Sequence, residues 1–377
     1  MTGLTTYHLV PPEGQASLGF HFGRQGIGLE EASETLASDS LFAALVAQAA
    51  HLESPAPGRE PAFATPFVNG TPPFVLSSLL PRLDTLILLP RPALKLPMSE
   101  TQRRKIGKGF KKLRYLSPQL FADVCAGRPF ADEPLIMQGG KVWLSREEAR
   151  GLPSPWKQVS SESDEAWLAR LQATPIWSIE AVPRVTVDRA SNTSAYYEVG
   201  RVVYALGAGL ALLVRYADPE AQGQFEHLLT LLGESGLGGR RSSGYGAFAW
   251  AAGPTLALDV GAPGQRVVLL SRYLPREDEL ACLQHEHAAY QLVNVGGWLF
   301  SPGQPAQRRQ RIRMVAEGSV LATGATPVYG RIADVRPDYS LSSREHPIFK
   351  CGKGTPHPVY RSGLALTLPI PDPKEVR

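Results

Sequence analysis

Five glycines, at 236, 238, 239, 244 and 246, crowd the stretch Gly236-Leu-Gly-Gly-Arg-Arg-Ser-Ser-Gly-Tyr-Gly-Ala-Phe248. A helical pattern precedes this stretch and a strand-like alternation follows it, so the chain must make a helix–loop–strand turn here. The glycines open positive φ to the backbone and bare its N–H groups. Arg240, Arg241, Ser242 and Ser243 add two guanidiniums and two hydroxyls, the groups that hold phosphate oxygens. The Tyr245 ring suits a base. No Lys follows these glycines in the G-x-x-x-x-G-K-[ST] pattern. Gly244–Ala249 matches G-x-G-x-x-A, but a dinucleotide fingerprint runs strand–loop–helix, the reverse of the order here. The plainer alternative is a glycine turn whose arginines face water.

The 377 residues exceed one ordinary core and imply two or three domains. With 43% hydrophobic and 20% charged residues the chain reads as soluble and globular. A net charge of +4 means that any nucleic-acid surface must come from local clustering. Three cysteines, at 125, 282 and 351, argue against a disulfide framework and for a reducing compartment. With neither a leader-like start nor a membrane-length apolar run, the expectation is a soluble protein of the prokaryotic cytoplasm.

In chain order, Thr5–Val10 alternates as a strand and 18–22 is extended. Ser38 and Ser40 offer N-cap oxygens to a helix carrying Leu41, Phe42, Leu45, Val46, Ala49 and Leu52. Short apolar runs at 74–80 and 85–89 read as strands. Arg103, Arg104, Lys105, Lys108, Lys111, Lys112 and Arg114 then form a basic run with no acid inside it. Such like charge is costly unless a polyanion lies nearby, although a solvated helix face is its usual fate. Residues 117–175 show little periodicity beyond short helices at 119–126 and 165–172. Two alternating runs, 184–189 and 196–206, flank the polar turn 190–194 and predict a long hairpin. Arg184 and Asp188 share one of its faces; Val185, Val187 and Arg189 share the other. An apolar strand at 209–215 and a helix from Pro219, with Phe225, Leu228, Leu229 and Leu232 on one side, lead into the glycine loop. Glycine and proline at 251–264 make the best linker. Strands at 267–274, 290–293, 311–315, 319–321 and 364–368 and a helix at 277–285 follow. Both halves therefore read as α+β units of the split βαβ type.

Several pieces together resemble one family: Ser38-Asp-Ser-Leu-Phe42, Ser77-Ser-Leu-Leu-Pro81 leading to Leu88-Leu-Pro-Arg-Pro92, Val185-Thr-Val-Asp-Arg189, the glycine loop, Gly296-Gly-Trp298 and Glu317-Gly-Ser319. They resemble the RAMP-superfamily subunit of type III-A (Csm) CRISPR effector complexes that caps the 5′ end of the guide RNA. The resemblance runs from residue 1 to about 370 in the family's order. It implies an α+β fold of two ferredoxin-like (RRM-related) domains, at 1–252 and 265–377. Residues 184–206 would be a thumb inserted at the guide, with the glycine loop at 236–246. It further implies a non-catalytic subunit without cofactor or metal, binding the repeat-derived 5′ tag of the guide RNA and, indirectly, target RNA. Its partners would be the large polymerase/cyclase-like subunit and the backbone RAMP subunit.

The residues expected to meet RNA are Gly236, Gly238, Gly239, Arg240, Arg241, Ser242, Ser243, Gly244, Tyr245 and Gly246 in the loop. On the thumb they are Arg184, Thr186, Asp188, Arg189, Asn192, Tyr196 and Tyr197. Elsewhere they are His21, Arg24, Ser38, Ser40, Lys105, Lys108, Lys111, Lys112 and Arg114. Phosphate contacts position a single strand, whereas stacking on Tyr245, Tyr196 or Tyr197 and base-edge bonds read it. The main alternatives are a repeat-cleaving RAMP endoribonuclease, with His21 as base beside Arg24 while His8 alternates in a strand and fits a sheet face, and the capping subunit of a type III-B (Cmr) complex. A metal at Cys282-x-x-His285-x-His287 is disfavoured, because residues 282 and 287 lie about 140° apart around a helix. An NTP-binding enzyme is weakened by the reversed loop context.

Overall fold

In the computed structural model the described residues are 3–23, 28–56, 58–188, 193–299, 307–323, 327–338 and 357–373. The protein mixes 26% helix with 29% strand. Its spine is the strand Ala208–Tyr216, buried at all but one position. It pairs antiparallel with Thr5–Val10 on one side and with Leu80–Leu83 and Phe74–Leu76 on the other. Ala249–Ala252 closes the near edge against Thr5–Val10, and Leu86–Ile87 the far one.

A strand apolar at every position is one covered on both faces, and the period of two sorts its side chains. Leu210, Leu212 and Val214 enter one core with Leu41, Leu45, Phe225 and Leu228 of the helices Ser38–Glu53 and Ala221–Ser235. Ala211 and Leu213 enter another core with Val268, Leu270, Val320, Leu366 and Ile370. The second half of the chain thus packs on the back of the first half's sheet.

Residues 89–144 hold a sheet that periodicity does not reveal. Leu89–Pro90, Tyr115–Leu116, Val142–Leu144 and Leu135–Met137 lie side by side, the middle pair parallel. Strands of two or three residues are too short to display alternation. The neighbouring helices Pro118–Ala126 and Asp164–Ala173 fall where expected.

The hairpin is longer than predicted. Trp177–Val187 pairs with Ser194–Tyr204 from Trp177↔Tyr204 outward, so its root starts ahead of residue 184. The root is buried at Trp177, Val199, Val202 and Tyr204, and Gly19–Phe20 adds a third strand there.

The second half departs further from expectation. Val320–Ala322, Arg266–Leu269 and Thr367–Ile370 make a three-stranded sheet. The expected helix at 277–285 is only a 3-10 turn, Glu277–Glu279, and one helical turn, Ala281–Gln284. Glu279 there turns inward to accept hydrogen bonds from Tyr273 Oη and the Tyr329 and Gly330 N–H groups, which breaks the helical run. Among the described residues no helix is long and apolar enough to cross a membrane.

Candidate nucleic-acid interface

The glycine loop is stitched to the rest of the fold rather than presented as a bare cradle. Leu237 N–H donates to Gly246 O, Gly239 N–H to His21 O, and Gly246 N–H to Gly19 O, each at 2.9 Å. Ser243 and Gly244 donate to Arg240 O and Arg241 O. The expected row of open N–H donors is therefore spent in part, because a loop lying on another strand must satisfy its backbone. What remains outward is side chain. Arg241, Ser242 and Ser243 are exposed, with Gly238 and Gly244 beside them, while Gly236 and Gly246 are buried. Gly238 holds φ +93° and a Cβ there would sit 2.8 Å from His21 O. Gly239 has ordinary φ but backs onto the His21 ring at 2.7 Å.

The loop is clamped to the root of the hairpin. Arg184, opposite Tyr197 in the register, donates to Tyr245 Oη at 3.1 Å and covers its ring at 5.6 Å. Arg201 lies 5.9 Å from the same ring, and Arg240, at φ +60°, stacks 5.5 Å from Tyr197. Tyr245 is only 6% exposed, so it is a clamp and not the stacking platform expected of it. Beside it a polar cleft of about 230 Å³ is lined by Gln15, Ser17, Gly19, Arg201 and Gly244. Three guanidiniums, those of Arg184, Arg201 and Arg240, thus lie where loop and hairpin join, with exposed Arg241 next in the chain; Glu180 lies 3.6 Å from Arg201.

Beyond the root both hairpin faces are open. Thr186 pairs with Ala195, and Asp188 N–H closes the outer end on Thr193 O. Val185 and Val187 (60% exposed) and Tyr196 (65%) form an apolar face turned from the loop. Arg189, Asn192 and Arg24 lie outside the described residues.

His21 is buried, with Nδ1 on Gly200 O at 2.7 Å, and serves as the seat of the loop. Ser38 and Ser40 part from the expectation. The helix cap is Ala37 with no side-chain bond. Buried Ser38 accepts the Arg272 N–H at 2.9 Å, and Ser40 accepts Arg361 Nη1 at 2.6 Å. Asp39 between them pairs with Arg361 at 2.8 Å. Ser-Asp-Ser is therefore a joint to the second half, and Ser38 has no surface for RNA.

The basic run is better balanced than its letters. Arg104 meets Glu100, Lys105 meets Glu133 at 2.8 Å, and Arg114 meets Glu34 at 2.9 Å. Glu100 stands one helical turn ahead of Arg104, whereas Glu133 and Glu34 lie far along the chain, where reading the run's letters cannot find them. Lys111 and Lys112 are exposed; the Lys108 side chain lies outside the described set. Arg114 alone is tied toward the hairpin, since Glu34 O also accepts the Tyr204 hydroxyl of the root.

His8 sits in the central sheet with Nε2 sealed and unpartnered. Burial, helped by the Arg82 charge and opposed by Asp84, pushes its pKa down to about 4. His285 and His287 rings lie 5.3 Å apart, while Cys282 is buried with Sγ 3.6 Å from Tyr273 Oη. No group of three metal-capable side chains occurs among the described residues.

This chain has relatives in sequence and in fold. Residues 262–356 match the family described as CRISPR Csm4 C-terminal domain. The chain is 32% identical over 192 residues to the CRISPR system Cms protein Csm4 of Mycobacterium tuberculosis (strain ATCC 25618 / H37Rv), a stretch covering 50% of this chain and 56% of that protein. It is 28% identical over 143 residues to the Csm4 protein of Thermococcus onnurineus (strain NA1), covering 37% and 43%. The matched stretches thus span about half the length of these curated relatives. In three dimensions the chain is similar to one in the crystal structure of the Csm3-Csm4 subcomplex in the type III-A CRISPR-Cas interference complex, with TM-score 0.61, 17% identity and coverage of 98% and 100%. It is also similar to a chain of the Csm1-Csm4 cassette in complex with cA4, with TM-score 0.51, 17% identity and coverage of 98% and 99%. At such identities the structural likeness speaks for the fold.

Proposed function

We propose that this chain, similar in sequence and fold to Csm4 proteins, is the RNA-binding subunit that caps the 5′ tag of the guide RNA in a type III-A CRISPR complex. In this reading residues 1–252 are a ferredoxin-like RAMP domain whose hairpin is a thumb. Residues 265–377 form a second, reduced one. The subunit bridges the large polymerase/cyclase-like subunit and the backbone RAMP subunit, as the Csm1-Csm4 and Csm3-Csm4 pairings of its structural relatives suggest. The observation that carries the reading is the clamp of Tyr245 under Arg184 and Arg201. It fixes loop to hairpin and gathers the guanidiniums of Arg184, Arg201 and Arg240 at the foot of an arm with an exposed apolar face. Phosphates held at the foot place bases along that face, where unstacking one is repaid by new contacts.

Replacing Arg240 and Arg241 together with Ala is expected to weaken guide binding several-fold at physiological salt with the melting temperature unchanged. Equal affinity in titrations of wild type and variant would remove the loop from the site. The nuclease reading has less support: the His21 ring nitrogen is engaged by Gly200 O and His8 is sealed from solvent. The purified protein is therefore expected to leave repeat RNA uncut.

A further inference from the structure

A second arm stands in the C-terminal half, outside the loop and thumb. Leu292–Val295 pairs with Ile312–Val315, and Trp298–Leu299 pairs with Gln307–Arg308, so one ribbon runs outward through a turn at Gly296 and Gly297. Gly297 takes φ +121°, where a side chain would be strained. The returning strand reads Gln307-Arg-Arg-Gln-Arg-Ile-Arg313. Arg309 turns toward the body, near Arg361 and Asp39, where burial first and the Arg361 charge second lower its pKa to about 10. Arg308, Arg311 and Arg313 are exposed, and among the described residues none has a carboxylate within 4.0 Å. This separates them from Arg104, Lys105 and Arg114 of the basic run, each of which is paired. On the opposite strand Trp298 is 51% exposed, with the Arg308 guanidinium 5.0 Å from its ring. Leu292 and Tyr290 are also exposed at the base of the ribbon.

An exposed indole is costly in water, and three unpaired cations repel one another. One partner relieves both: a flexible polyanion with flat faces. Single-stranded nucleic acid offers phosphates at arginine spacing and bases that stack on Trp or on a guanidinium plane. We infer that this ribbon is a second contact for single-stranded RNA, with Arg308, Arg311 and Arg313 on phosphates and Trp298 under a base. It extends the RNA path into the C-terminal half and does not depend on the glycine loop.

The test uses the full-length protein and a labelled oligouridine, so that no tag sequence is needed. Each phosphate contact adds roughly −0.7 to the slope of log K against log salt. Changing Arg308, Arg311 and Arg313 to Gln is expected to flatten the slope by up to about 2.1. The same flattening is expected in the Arg240→Ala/Arg241→Ala background. If the loop variant alone binds as wild type while the arm variant does not, the loop reading fails and this one stands. The tryptophans at 143, 156, 167 and 177 are buried and Trp250 is half-buried, so RNA-induced quenching reports chiefly on Trp298. It should disappear in Trp298→Phe and in the arginine variant, and persist in the loop variant. Circular dichroism controls for folding. An unchanged salt slope, or quenching that survives the arginine changes, overturns the inference. So does lost assembly with partner subunits while RNA affinity is retained.

Discussion

At the scale of single residues, two positions carry sharp expectations. Gly238 combines φ +93° with a backbone oxygen 2.8 Å from where a Cβ would sit. Gly238→Val should therefore destabilise the fold by about 1–3 kcal/mol, measured by denaturant titration. Gly239→Ala meets only the edge of the His21 ring, so it should cost less. His8 makes a pH prediction. Burial keeps it neutral in the fold, with a pKa near 4 against 6.5 in the unfolded chain. Its contribution is complete above pH 6.5 and is lost as pH falls toward about 4, because only the unfolded state takes up the proton there. The slope should approach about 1.4 kcal/mol per pH unit across that window. His8→Gln should flatten it in thermal unfolding across the same range, and an equally steep variant would show that other groups set the acid limit.

At the scale of elements, the hairpin and the basic run separate structure from binding. The outer hairpin is solvated on both faces, so replacing Val185 with Ser and Tyr196 with Ala should alter stability by less than about 0.5 kcal/mol. Chemical probing of the guide near its tag should nevertheless change; identical reactivity would remove the arm from the RNA. For the run, Lys105 is already held by Glu133, leaving Lys111 and Lys112 as exposed cations. If these two meet phosphates, changing both to Gln flattens the salt slope by up to about 1.4, equally for tag and scrambled RNA. A solvated face leaves the slope as it was.

At the scale of the whole molecule, the two halves are joined by a buried charge pair. Asp39 is 2% exposed and Arg361 4%, with Ser40 completing the contact. Asp39→Ala strands a buried guanidinium and should cost about 3–5 kcal/mol. Arg361→Met made together with Asp39→Leu should cost much less than the two single changes summed, because neither member of the pair is then left buried alone. Additive costs in a double-mutant cycle would deny the joint.

The sequence alone determined those elements whose information is local. The run 209–215 is apolar at nearly every position and reads as a strand from its own letters; its central place in the sheet comes from its partners. The helix from Ala221, the turn into the glycine loop and the alternation of the hairpin are equally readable, since period and backbone freedom belong to the segment itself. The arginines of the loop were legible as a candidate anion site for the same reason. What the tertiary structure decided is where a residue's partner lies far along the chain. Asp39 and Arg361 are 322 positions apart, and Arg114 and Glu34 are 80 apart. No pattern of letters shows that Ser38 faces the second half, that Tyr245 is a clamp, or that the basic run is partly neutralised. The inserted sheet stayed hidden because its strands are shorter than the window that alternation needs. Charge pairing and burial are properties of closed space, and only the folded chain closes it.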